Sequence, residues 1–145
     1  MDGLVLKIAE SKEDLNKVFQ IRDIVFCDEQ KVPKDLEKDS CDAIAEHFLM
    51  LLKNKPIGCA RIRFNGNEAK LERIAILKEY RGKGLGRPLM KCLIDYCKMK
   101  NAKQIYMHAQ YHAKGFYEKT GFIAKGKPFI EADIKHVEMV YEAKK

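Results

Sequence analysis

The segment Arg81-Gly82-Lys83-Gly84-Leu85-Gly86 has the composition of a backbone cradle for an anion. Glycine lets a main chain approach a phosphate closely, and amides left free at a helix N-terminus favour negative charge. Pro88 suits the first turn of a helix starting here, where a missing amide hydrogen costs nothing. Two nucleotide-binding motifs are excluded by spacing. Arg87 and Leu89 stand where a G-x-G-x-x-G pattern needs its third glycine, and no Gly-Lys-Ser/Thr ends the loop as a P-loop requires. A second chemical candidate is His136, because an imidazole can accept a proton near neutrality. Glu72, just before the loop, could instead take a proton through water. His47, His108 and His112 are too scattered to define metal ligands.

The elements that must position these residues follow from apolar periodicity. Leu4 to Ala9 alternates as a strand, and Ser11 with Asp14 resembles a capping box opening a helix through Phe26. Pro33 ends any helical continuation, and 28–44 reads as a charged loop with room for a short helix. His47–Lys53 and Ile57–Phe64 are strands, joined by a turn at Asn54-Lys55-Pro56. Asn65-Gly66-Asn67 turns into a strand over Lys70–Leu77. After the glycine loop, Leu89, Met90, Leu93, Ile94 and Cys97 form one helical face. A strand over Gln104–Gln110 and a short helix over Ala113–Thr120, stopped by Gly121, come next. Strands near Phe122–Ala124 and Val137–Tyr141 close the chain around a loop containing Pro128. The order implies an α/β fold, a mixed sheet with helices on its faces.

The totals restrict the class. A chain of 145 residues, 46% hydrophobic and 34% charged, fits one globular domain spanning 1–145. No apolar run is long enough to cross a membrane, and the first residues lack the pattern of a secretory signal. Five cysteines without a C-x-x-C pair argue against a disulfide framework or a zinc site and suit a reducing cytoplasm. The net charge of +7 is unevenly spread. Residues 1–47 hold seven Lys/Arg against twelve Asp/Glu, whereas 78–127 hold twelve against three. The basic block suits a phosphorylated cofactor, and the acidic block suits a cationic ligand. No nucleic acid is expected as a partner, since neither an aromatic single-strand platform nor a duplex-reading motif is present.

The loop matches R-x-x-G-x-G, the pyrophosphate loop of the GNAT superfamily of N-acetyltransferases. Leu71-Glu72-Arg73-Ile74-Ala75-Ile76 resembles the superfamily's fourth strand, and Ala113 to Phe122 resembles its A-x-x-F-Y-x-x-x-G-F segment. Further segments resemble the small bacterial ElaA-like or YjcF-like branch. They are Val25-Phe26-Cys27-Asp28-Glu29-Gln30, Asp39, Asp42, His47-Phe48, His108-Ala109-Gln110 and Ile134 to Met139. Lys135 departs from the proline usual before the histidine, and Cys27 from an apolar residue.

The resemblance implies a GNAT fold, with a mostly antiparallel sheet of six to seven strands flanked by about four helices. It also implies acetyl-coenzyme A as cosubstrate, without a metal. The cofactor would lie against Ile74, Ala75, Ile76, Arg81, Gly82, Lys83, Gly84, Leu85, Gly86, Arg87, Phe116 and Tyr117. Tyr117 would sit near the coenzyme sulfur and donate a proton to the departing thiolate, and the loop before His136 would flank the acetyl group. Asp28, Glu29, Gln30 and Glu72 are candidates for the acceptor site. The expected reaction is direct acetyl transfer to a primary amine, on a small cationic or amino-bearing molecule. A protein or peptide acceptor and a non-catalytic acyl-coenzyme A sensor remain open, as does a homodimer.

Overall fold

The computed structural model describes residues 2–142. Ser11 caps the first helix by accepting a hydrogen bond from the Asp14 amide, while Asp14 turns its carboxylate to Lys7 at 2.8 Å. Half of the expected capping box therefore forms. Helix α1 (Lys12–Arg22) follows strand β1 (Leu4–Ala9) and continues, without a break, as a π-helical segment over Asp23–Glu29. The short helix expected in the charged loop is α2 (Lys34–Glu37), with a 3-10 turn at Ser40–Ala43.

Strands β2 (Glu46–Leu52), β3 (Lys55–Asn65) and β4 (Glu68–Ile76) form a meander. The first turn falls one residue earlier than expected. Lys53 and Asn54 take positive φ (49° and 69°), the geometry of a tight two-residue hairpin, and Lys55 and Pro56 already belong to β3. Proline is tolerated there because the β2–β3 register shifts beside it. Helix α3 (Gly86–Met99), strand β5 (Gln104–Gln110), helix α4 (Lys114–Lys119) and the hairpin β6 (Phe122–Glu131) and β7 (Ile134–Tyr141) complete the chain. The closing hairpin corrects the sequence reading. Pro128 lies within β6, at a register shift between Lys125 and Phe129, and the connecting turn is only Ala132–Asp133.

The seven strands form one sheet in the order β1-β2-β3-β4-β5-β7-β6. Only β4 and β5 pair in parallel; the other neighbours are antiparallel. Alternation of side chains then divides the core. Phe48, Met50, Ile62, Leu71, Met107, Val137 and Met139 face α3, whose Leu89, Met90, Leu93, Ile94 and Cys97 are all buried. Leu49, Cys59 and Ala75 face α1 and pack under Val18, Ile21, Val25 and Phe26.

Two irregularities shape what lies between the layers. Opposite Ala60, β4 carries an extra residue, with Arg73 at φ 53°. Such a bulge bends the strand away from its neighbour. The β4–β5 ladder ends one residue before Glu72, at Leu71–Met107, although β4 runs on to Ile76 and β5 to Gln110. The strands splay, and a cleft opens between them.

Candidate active site

A cavity of about 580 Å³ occupies the splay. Its walls include Ile74, Ala75, Ile76 and Arg81 from the β4 side, His108 and Gln110 from β5, and Tyr117 from α4. Gln30 and Glu37 close it from the helical layer, and Glu131 and His136 from the closing hairpin. Of the residues singled out in the sequence, Ile74–Ile76, Arg81, Tyr117, Gln30, Glu72 and His136 are thus brought to one cleft from elements far apart in the chain. Asp28 and Glu29 are exposed and lie outside it. Glu29 touches the cavity wall only through Arg81, so neither joins the cleft as the acceptor-site reading expected.

Glu29 has a different partner. Its carboxylate accepts two hydrogen bonds from Arg81, Nη1 at 2.9 Å and Nη2 at 3.0 Å, while Arg81 Nε donates to the Ile76 carbonyl at 2.8 Å. The next residue, Gln30, exchanges side-chain hydrogen bonds with Gln110 at 2.7 and 3.3 Å. Adjacent residues of one helical end therefore hold the ends of both splayed strands. The guanidinium of Arg81, expected to meet a phosphate, is largely engaged by Glu29 and Ile76.

The backbone of the glycine loop fits a phosphorylated ligand. Gly82 and Gly84 take φ values of 74° and 77°, and a Cβ built on either meets nothing within 4 Å. Leu85, the residue before α3, offers no side-chain cap to the first turn of that helix, whose free amides are therefore available to an anion. Leu85 itself is buried in the core, leaving only its main chain for a ligand. Lys83 and Arg87 are exposed cations beside the loop. Gly86 answers a packing demand, because a Cβ there would stand 2.7 Å from the Phe116 ring. Phe116 supports the loop from below and is not part of the cavity wall. Beyond Leu71, the β5-facing edge of β4 has no strand partner and can pair with an extended amide-bearing chain.

Tyr117 is 9% exposed, and burial pushes its phenol up to about 12, so the hydroxyl keeps its proton at neutral pH. Its ring packs edge-on against Phe116 and Phe122. His136 Nδ1 lies 2.6 Å from the Ile134 carbonyl. A carbonyl can only accept, so Nδ1 carries the hydrogen in the neutral ring and Nε2 holds the free lone pair. Phe129 stacks on this imidazole at 21° between planes. The sequence yields an imidazole here; only the turn shows which of its nitrogens is available.

Glu72 is unsuited to proton abstraction. Burial alone would raise its pKa, but hydrogen bonds from Arg63 and the charges of Arg61 and Lys70 lower it to about 2. It belongs to an ionic network that sequence reasoning missed. Arg22, fully buried, holds Glu37 at 2.8 Å and Asp42 at 2.7 Å. Arg61 joins Asp39, Asp42 and Glu72, and Arg73, on the bulge, joins Glu37 and Asp39. The only sequence signal was the placing of Arg61, Arg63, Lys70 and Glu72 at alternate positions of otherwise apolar strands. The network also neutralises Glu37, Asp39 and Asp42, so the acidic balance of 1–47 does not create an acidic pocket.

Among the described residues no group of three His, Cys, Asp or Glu side chains could hold a metal ion. Nor is any helix long and apolar enough to cross a membrane.

A glycine loop at a helix N-terminus, beside parallel strands forced apart by a bulge, is the architecture of an acyl-coenzyme A-dependent transferase. The chain belongs to the GNAT acetyltransferase family, whose domain matches residues 9–143 and whose acetyl donor is acetyl-coenzyme A. It is similar to the uncharacterized N-acetyltransferase YjcF of Bacillus subtilis, with 36% identity over 92% of this chain and 96% of that one. The crystal structure of Escherichia coli ElaA superposes with a TM-score of 0.84 at 28% identity, covering 96% of this chain and 99% of that one. A GNAT family acetyltransferase from Elizabethkingia anophelis, solved with acetyl-CoA bound, shares the fold with a TM-score of 0.72 at 17% identity, covering 97% and 96%.

Proposed function

We propose that the protein moves acetyl from acetyl-coenzyme A directly to the primary amine of a small acceptor, within a ternary complex. The observation that carries this reading is the convergence of Tyr117 and His136 on the cleft that also receives the unpaired edge of β4. Acetyl-coenzyme A would supply the activated acyl thioester when bound. The residues to hold it are Ile74, Ala75 and Ile76 through their main chain, then Gly82 to Arg87 through loop amides and the two exposed cations. Arg81 sustains the loop's exit from β4 rather than contacting phosphate itself.

His136 takes a proton at Nε2 from the acceptor ammonium or attacking amine, with Nδ1–H fixed by the Ile134 carbonyl. The Tyr117 phenol is protonated at working pH and lines the cleft, so its Oη is the donor available to a departing thiolate. Glu72 serves as an anchor for Arg61, Arg63 and Lys70, and Gln30 closes the acceptor side of the cleft.

A screen of amines, amino acids, aminosugars and peptides with acetyl-coenzyme A, read by free thiol release, tests this. Turnover on at least one small amine is the expected result, with micromolar-range cofactor binding by calorimetry. Binding without turnover on any acceptor would make the protein a sensor. Turnover on peptides alone would replace the small acceptor by a protein.

A further inference from the structure

The sheet face that α1 leaves open changes charge from strand to strand. Arg63 pairs in register with Lys70, and Arg61 with Glu72, at the β3–β4 end. His108 pairs with Glu138, and Gln110 with His136, at the β5–β7 end. The first end carries a surplus of positive charge. A single carboxylate, Glu72, is shared by Arg61 at 2.9 Å, Arg63 at 2.6 Å and Lys70 at 3.3 Å. Arg61 is also satisfied by Asp39 and Asp42, and Arg63 commits Nε and Nη2 to Glu72 and Nη1 to Cys41 Sγ at 3.1 Å, whereas Lys70 has no other carboxylate among the described residues. Arg63 and Lys70 both line the cavity, with side chains 32% and 17% exposed.

The opposite end is the reverse. Glu131 lines the cavity, is about half exposed, and has no Lys or Arg partner among the described residues. Its neighbours are imidazoles, His108 at 3.5 Å and His136 at 3.9 Å. One cavity therefore presents on one wall a cation held only by a shared carboxylate, Lys70, backed by the charge of Arg63, and on the other an unneutralised carboxylate beside the candidate base.

From this polarity we infer that the acceptor is an amino acid-like zwitterion. Its carboxylate pairs with Lys70, with the charge of Arg63 beside it, and its amine is held at Glu131 for deprotonation by His136. A diamine would place its second ammonium against Arg63 and Lys70, a like-charge contact that disfavours it. The inference rests on the acetyltransferase reading above and narrows its substrate.

The test compares amino acids with their own carboxamides, for example β-alanine with β-alaninamide, across an α- and ω-amino series. Rates are expressed per unprotonated amine, and calorimetry confirms that acetyl-coenzyme A is bound. At least one acid should exceed its amide by roughly tenfold or more in kcat/KM, the scale of one charge-assisted contact. Lys70→Gln should erase most of that preference by raising KM for the acid, and Lys70→Arg should restore it. Thermal melts of each variant separate this from loss of fold, and Arg63→Gln provides a second reading if Lys70→Gln is unstable. Amides or decarboxylated amines used as well as the acids would overturn the inference and leave the acetyltransferase intact. Bound cofactor with neither set acetylated would overturn it too, whereas absence of cofactor binding would remove the parent reading first.

Discussion

At the scale of single residues, the proposed proton movements fall to two side chains, and each is prepared by a local contact. Tyr117 is prepared by burial, which keeps its hydroxyl protonated. His136 is prepared by one carbonyl, which fixes its hydrogen on Nδ1. Tyr117→Phe keeps the edge-on packing with Phe116 and Phe122 and removes only the hydroxyl. It should lower kcat by about 10²-fold, with cofactor binding and melting temperature nearly unchanged. Near-normal kcat in that variant would return Tyr117 to a packing role. His136→Ala should lose most activity where the acceptor is largely protonated and recover part of it as pH rises. The acidic limb of the pH–rate profile is the readout, and a limb identical to wild type would remove His136 as base.

At the scale of elements, the glycine loop and the β4 bulge do different work. The bulge ends the β4–β5 ladder and so creates the cleft; the loop offers its amides at one end. Gly84 separates charge from conformation, because its Cβ position is open and its φ is positive. Asparagine and aspartate both visit that region, at a similar cost of roughly 1–2 kcal/mol, and they are nearly the same size. Gly84→Asn should retain measurable binding of acetyl-coenzyme A, while Gly84→Asp should weaken it a further tenfold or more through like charge. Equal binding of the two, read by calorimetry, would show that no phosphate approaches this amide. Gly86 makes a poorer probe, since substitution moves Phe116 as well.

For the whole molecule, the ionic network ties α1, the segment at 37–42, β3 and β4 into one unit. Asp42 and Glu72 are held at about 2, below their ordinary values of 3.8 and 4.5, and Asp39 is also lowered. In each case burial opposes the shift and arginine hydrogen bonds win. A carboxylate with a depressed folded pKa stabilises the fold above its unfolded pKa, and that stability drains away as pH falls through the folded one. Thermal stability should therefore drop steeply between about pH 4.5 and 2. Glu72→Gln should be less stable at pH 7, by about 2 kcal/mol or more, because it leaves cations sharing a neutral amide. Its decline with acid should also be shallower, as melting curves from neutral to low pH would show. Parallel declines in the two proteins would mean that the network does not govern acid stability.

The order of elements, the buried face of α3 and the glycine loop were legible in the sequence because each is written in neighbouring residues. Leu89, Met90, Leu93, Ile94 and Cys97 follow a helical period, and Gly82, Gly84 and Gly86 announce their loop by composition. Tyr117 and His136 were recognisable as types, and as parts of familiar segments. Pro128 misled because a register shift that tolerates proline inside a strand leaves little local trace. What only the tertiary structure decided is which charges remain available. Arg81 resembles a phosphate ligand until Glu29, fifty-two residues earlier, takes its guanidinium. Glu72 resembles a base until Arg61, Arg63 and Lys70 converge on it. An ionisable side chain is defined by the charges within a few ångströms, and the bulge, splay and sheet order choose those neighbours from distant parts of the chain.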